Sequence, residues 1–129
     1  MIKQLAISTP GQGLHEITTQ VAAVVRQARM EEGLCSLFIR HTSASLVVQE
    51  NADPTAKRDL ERWLNRLVPE GDPFYRHDAE GPDDMPAHIK AALTATSLAV
   101  PCRMMSGKPA ARAYARSVWI GFQMRAHSV

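Results

Sequence analysis

His41, His77 and His88 stand in polar, loop-adjacent stretches of a chain that also carries carboxylates around them: His41 after a run of apolar residues, His77 in an acidic loop and His88 beyond it. Imidazole binds zinc, nickel, iron or copper and exchanges protons near neutral pH, so three such groups around an open fourth position would suit a catalytic metal. Spacing alone does not decide this. His41 lies far from His77 in sequence, and no H-x-x-x-H pair fixes two ligands on one helical face. The competing reading leaves His77 and His88 solvated or in ordinary hydrogen bonds.

Glu50, Asn51, Asp53, Glu80, Asp83 and Asp84 are the groups able to orient those imidazoles through their second ring nitrogens, and the carboxylates among them can also act as bases. Helix capping accounts for Asp53 and for Asp83 or Asp84 equally well. Lys90, Arg58 and Arg40 could receive an anionic substrate, although lone basic residues are usually solvated surface. Thr42 and Ser43 follow His41 directly. Adjacent residues on an extended segment point to opposite faces, so a nucleophile–base pair fits poorly there and a hydroxyl lining a pocket fits better.

The elements that must position these groups can be read from periodicity. Residues 2–8 alternate weakly and predict a short first strand, ended by the turn formers of 9–13. Val21, Val24, Val25 and Ala28 predict a helix, capped by Thr18 or Thr19 and followed by Gly33. The apolar runs 34–40 and 45–50 predict strands, with His41-Thr42-Ser43-Ala44 between them. Asp53-Pro54 predicts the start of a second helix with the stripe Leu60, Trp63, Leu64 and Leu67, ended by Pro69. Residues 70–86 form a polar loop rich in Pro and Gly, a placement that serves function or motion. A short helix over 85–93 carries His88, and 97–103 and 117–124 predict late strands, with Pro101 placing the first at an edge or bulge. No repeat is visible. Periodicity leaves α+β and a helix-decorated β-sandwich both open.

At 129 residues the chain is sized for one domain, 1–129, able to bury a core without disulfide or structural metal. With 45% hydrophobic and 22% charged residues it has a globular rather than a disordered composition. A formal charge of +2, evenly spread, argues against a nucleic-acid partner. The N-terminal residues lack the apolar core of a signal peptide and no run is long enough for a membrane helix, so the expected location is cytoplasmic. Cys35 and Cys102 lie in apolar segments and are expected as reduced structural thiols.

Two stretches carry a family resemblance. Phe38-Ile39-Arg40-His41-Thr42-Ser43-Ala44, with Glu50-Asn51-Ala52-Asp53-Pro54 and Asp59-Leu60, resembles an F-x-x-H-T-S/T-A pattern followed by an acidic D-P and a D-L element. Residues 75–91 hold Tyr75, His77, Glu80-Gly81, Asp83-Asp84, Ala87-His88 and Lys90 in the order of a Y-x-H-x-x-E-G-x-D-D-x-x-A-H-x-K segment. Both are similar to the YjbQ-like family, the UPF0047 group, often called secondary thiamine-phosphate synthases.

The resemblance implies an α+β, mainly β fold: a YjbQ-like β-sandwich with peripheral helices, assembled as a homotrimer, with a pocket near a subunit boundary. It implies His41, His77, His88 and Glu80 as catalytic residues, with Glu50, Asn51, Asp53, Asp83, Asp84 and Lys90 around a small-molecule substrate. It also implies a divalent metal, Zn or Mg, at His41, His77 and His88. The implied reaction is a weak thiamine-phosphate synthase activity; the alternatives are a metal or small-molecule binder without turnover and a metal-assisted hydrolase. From about residue 111 the resemblance stops, since the family's G-T-W-Q-G element has no counterpart in 111–123. Divergence and a shifted reading frame would both produce that change.

Overall fold

The computed structural model describes residues 1–50, 53–105, 108–109 and 116–121, the side chains of Glu50 and of 104–129 excepted. Within these the chain is mixed α/β, with three helices and small antiparallel sheets. The order is β1 (Leu14–Glu16), α1 (Thr18–Gln27), β2 (Glu32–Phe38), β3 (Ser45–Glu50), α2 (Pro54–Leu67), α3 (Asp84–Leu93), β4 (Ser97–Met105), β5 (Lys108–Pro109) and β6 (Arg116–Gly121). One sheet runs β1-β6-β3 and the other β2-β4-β5, with every pairing antiparallel.

Alternation along the strands assigns the faces. Leu46 and Val48 of β3 pack into one cluster with Ile17, Val21 and Val25 around α1, and with Cys35, Leu37, Leu98 and Val100 of the second sheet. Val47 points the other way, into a smaller cluster with Leu14 and with Leu60 and Leu64 of α2. The β1-β6-β3 sheet therefore has α2 on one face and shares the larger core with β2 and β4 on the other. On β2, exposed and half-buried residues alternate, leaving Leu34 and Phe38 outward on the far face.

The predicted first strand at 2–8 is not formed: only Ser8 makes a bridge, and the first strand begins at Leu14. The alternation there is too weak to hold a partner strand: residues 1–6 and Ser8 are exposed, and of 1–8 Ile7 alone packs against the core. Neither Thr18 nor Thr19 caps α1; Ile17 takes the cap position without a side-chain bond. The helix stops at Arg29, which adopts a left-handed φ of 50°, and Gly33 belongs to β2 instead. Asp53 caps α2 as expected, accepting from the Thr55 amide at 2.8 Å and hydroxyl at 2.7 Å, with Pro54 in the first turn. Of the α2 stripe only Leu64 is buried; Trp63 and Leu67 remain exposed. Pro101 pairs with Leu34 of β2, and among the described residues β5 pairs on the other side of β4 with Met104 and Met105. The last strand covers 116–121, and residues 122–124 of the expected strand lie outside the described residues.

Cys35 and Cys102 are free thiols on paired strands. Burial, and then the neighbouring Cys102, push the Cys35 thiol above its ordinary range, as expected of an unreactive structural cysteine.

Candidate functional site

The site lies where α3 meets the end of β2 and the start of β3. The Ile39 amide donates to the Thr96 carbonyl at 2.9 Å, and Leu46 and Ala95 bond each other at 2.6 and 3.3 Å. The Thr94 hydroxyl donates to Ser45 at 2.5 Å. These bonds hold the C-terminal end of α3 against the buried segment 43–46 and bring His41 and Thr42 beside His88.

Asp84 opens α3 and His88 follows four residues later on the same face. His88 Nε2 lies 3.2 Å from Asp84 Oδ1, and His77 Nε2, reaching in from the preceding loop, lies 3.1 Å from Asp84 Oδ2. The two rings are 5.2 Å apart, tilted by 56°. Candidate ligand atoms of His77, Asp84 and His88 all fall within 4.8 Å of one another. Asp84 is 2% exposed, and its Oδ2 has no hydrogen-bond donor among the described residues. His77 is close to it, but an N···O distance without alignment is not a hydrogen bond. The other face of His88 is fixed, with Nδ1 3.2 Å from the Thr42 carbonyl. In the neutral ring that contact places the proton on Nδ1 and turns Nε2 toward a carboxylate, an arrangement that a proton or a cation between them relieves.

Loop geometry sets these positions. Gly81 closes a turn with its amide on the Asp78 carbonyl at 3.0 Å and has φ +134°. A Cβ there would stand 3.0 Å from Asp83 Oδ1. The Asp84 amide bonds the Gly81 carbonyl at 3.3 Å, and Gly71 bonds Pro82 at 3.3 Å across the base of the loop. Asp83 takes the cap position of α3 without a side-chain capping bond, so the expected capping role belongs to neither aspartate's carboxylate.

His41 is not one of the three convergent ligands. Its ring lies beside a cavity of about 530 Å³, lined also by Phe38, Arg40, Thr42 and His88, with Ala91 and Ala92 of α3. His41 Nδ1 accepts from the Ser43 amide at 3.2 Å, and the Ser43 hydroxyl is 3.1 Å from the same atom. Lys90 does not line this cavity: it is fully buried, and its Nζ donates to Asn65 of α2 at 2.5 Å. Burial lowers its pKa, partly offset by the Glu70 and Asp83 carboxylates. Asp53 is occupied as a cap, and the Thr55 side chain and amide hold its carboxyl below the usual range. Glu80 is exposed and outside the cluster. Asn51 lies outside the described residues, as does the side chain of Glu50. Sequence reading treated Asp84 as a cap or an orienting group; the signal for a ligand was its four-residue spacing from His88 on a predicted helix.

Residues 3–110 match the family model described as UPF0047 protein YjbQ-like. The match ends where the G-T-W-Q-G element would follow. The chain is 52% identical over 97 residues to UPF0047 protein sll1880 of Synechocystis, covering 75% of this chain and 66% of that one. It is 43% identical over 100 residues to UPF0047 protein YjbQ of Escherichia coli O157:H7, covering 77% and 72%. Among solved structures, the conserved hypothetical protein TT1486 of Thermus thermophilus superposes with a TM-score of 0.73 at 30% identity, covering 97% of this chain and 95% of that one. A YjbQ/UPF0047 protein of Clostridium acetobutylicum gives 0.74 at 27% identity with the same coverage.

Proposed function

This chain belongs to the YjbQ-like UPF0047 family, whose function is uncharacterised, and from that premise we propose an enzyme acting on a small molecule with a divalent cation held by His77, Asp84 and His88. The observation that carries this reading is the buried Asp84 carboxylate, with two imidazole Nε2 atoms at 3.1 and 3.2 Å and an oxygen that no donor satisfies. Buried carboxylates without donors are costly, and a cation offsets that cost. Two nitrogens and one oxygen favour zinc over magnesium, which prefers oxygen ligands, and three protein ligands leave room for a fourth. When bound, zinc supplies charge that neutralises an anionic group or polarises a carbonyl.

The chain's own residues do the rest. The Thr42 carbonyl holds the His88 ring, the α3 N-terminus favours the Asp84 anion, and Arg40 brings a permanent positive charge to the cavity wall. The reaction to test first is the one the family resemblance implied: attack of a thiazole nitrogen on an aminopyrimidine-methyl carbon with departure of pyrophosphate. Hydrolysis of another small anionic substrate is the runner-up. We read the two sheets, joined through the Leu46 cluster, as the layers of a β-sandwich. The outward Leu34 and Phe38, 59% and 72% exposed, then serve as subunit contacts of a homotrimer.

Zinc titration by calorimetry tests the cation, and mass spectrometry of thiamine phosphate formed from both precursors tests the reaction. The expected results are one zinc per chain, lost in Asp84→Ala, and a slow product signal lost in His88→Ala. Zinc uptake unchanged in Asp84→Ala would refute the ligand set. Equal product from wild type and His88→Ala, or none from folded, zinc-loaded wild type, would remove the synthase reaction.

A further inference from the structure

Three sulfur-bearing side chains, Met30, Cys35 and Cys102, meet near the start of β2, at the end of that strand away from the cavity. The β2–β4 register sets Gly33 opposite Cys102 and Cys35 opposite Val100. Residues two apart on a strand share a face, and so do residues directly opposite, so Gly33, Cys35, Val100 and Cys102 all lie on one side of the sheet. It is the side turned to the larger core, against which Cys35 and Val100 pack. Cys35 and Cys102 are thus diagonal neighbours; both thiols are free, and they lie within hydrogen-bonding reach of each other. Gly33 leaves a gap on this face, and Met30 fills it. Arg29, with its left-handed φ of 50°, turns the chain back after α1. A Cβ on Gly33 would stand 3.0 Å from Met30 Cε and 3.7 Å from Met30 Sδ. The thioether therefore takes the place of a Gly33 side chain, directly across the pair from Cys102, and Cβ positions in such a pair are about 4.5–5.5 Å apart.

We propose that Met30, Cys35 and Cys102 form a binding site for a soft monovalent cation, copper(I), separate from the cluster on α3. The donor atoms select the ion. Thiolate and thioether sulfur suit copper(I), whereas zinc completes its tetrahedron with thiolate, imidazole or carboxylate. Among the described residues, the group of three or more His, Cys, Asp and Glu side chains close enough to share an ion is His77, Asp84 and His88, so no imidazole or carboxylate joins the two thiols. The third donor is the Met30 thioether, and three sulfurs satisfy copper(I) without a fourth ligand. On binding, each thiol passes its proton to solvent and its sulfur bonds the ion; no electron moves. Cys102 gives up the hydrogen bond that its Sγ donates to the Val100 carbonyl at 3.4 Å. Met30 is 45% exposed, unbranched and adaptable, so the ion enters at its side and the thioether closes over it. Burial, and then Cys102, keep the Cys35 thiol protonated in the metal-free protein, which makes it a poor nucleophile; a thiophilic ion takes the place of that proton.

The test titrates the reduced protein, without oxygen, into the coloured copper(I) complex of bicinchoninate. Wild type should withdraw one copper per chain. Cys35→Ala and Cys102→Ala should lose about a hundredfold or more in affinity and Met30→Leu about tenfold or more, since even a partner outside a ligand set is worth about 10–100-fold. His88→Ala should withdraw copper like wild type, because the α3 cluster has no part in this site. Copper left with bicinchoninate by wild type, withdrawal by Cys102→Ala equal to wild type, or its loss in His88→Ala would overturn the proposal. X-ray absorption of the copper-loaded protein decides the matter even if a cysteine variant fails to fold. Wild type should show a shell of three sulfurs and Met30→Leu, altered at a half-exposed position, a shell of two. Nitrogen in the wild-type shell, or the same sulfur number in both proteins, would refute the ligand set.

Discussion

Replacing Asp84 by asparagine should stabilise the metal-free fold while abolishing its response to zinc. The side chain is 2% exposed, and among the described residues Oδ2 finds no hydrogen-bond donor although His77 Nε2 stands 3.1 Å away. An unsatisfied buried acceptor costs about 1–3 kcal/mol. Asparagine has nearly the same shape, and its one amide nitrogen can donate to His88 Nε2, the ring nitrogen that the Nδ1 contact with the Thr42 carbonyl leaves without a proton in the neutral ring. For a domain of this size a gain of about 1–2 kcal/mol raises the melting temperature by roughly 3–10 °C. The assay is thermal unfolding by circular dichroism with a chelator present, at a pH where the imidazoles are neutral. Zinc at about one hundred times its dissociation constant should then add about 2.7 kcal/mol to wild type. Asp84→Asn should show no such increment. A chelated variant that melts well below wild type would show that the carboxylate already has its partner in the metal-free protein, and the inference of a cation would fail.

Gly81→Ala should destabilise the protein by about 1–2 kcal/mol in chemical denaturation and weaken zinc binding, because φ of +134° is strained for alanine and its Cβ would meet Asp83 Oδ1 at 3.0 Å. Lys90→Met should cost about 2–3 kcal/mol in the same assay, since it leaves Asn65 without its donor and buried Asp83 without a counter-charge; a neutral effect would refute this. Lys90 also has a sign in pH. Its folded pKa is depressed below the ordinary 10.5, so between the two values the unfolded chain binds more protons and stability rises with pH. That alkaline contribution should vanish in Lys90→Met when the two stability–pH curves are compared. Light scattering should give three times the chain mass, and Phe38→Glu, on the exposed face of β2, should reduce it; a chain-mass wild-type particle would refute the trimer.

Much of this was legible beforehand where local chemistry decides. Asp53-Pro54 announced the start of α2 because an acceptor followed by a residue lacking N–H suits a helix N-terminus under any tertiary context. His88 was expected on a short helix following a polar loop, and it is found there. The approach of His77 to His88 was expected together with His41, whereas Asp84, which the structure puts between the two rings, was read only as an orienting or capping group. A carboxylate at the first position of a helix reads as dipole or capping chemistry, and only burial distinguishes a ligand from a cap. Lys90 misled for the same reason. A lysine near a candidate site suggests phosphate binding, yet four methylenes let it reach under α3 to Asn65, a partner on another helix that no local pattern announces.

The three convergent side chains come from one short span, residues 77–88, whereas the cavity that His88 lines also draws on 38–42, far away in sequence, with Ala91, Ala92 and Thr96 just beyond the span. Closing a loop this short takes little chain entropy and needs only the first turn of α3 and the Gly81 turn. The strand pairings β2 with β4 and β3 with β6 are far less local, and such pairings form slowly. The ligand set can therefore assemble early on the folding path, ahead of the sheets. The proposed cation site would in this sense form separately from the cavity, and a destabilised sheet variant should lose the shape of the cavity before it loses zinc uptake.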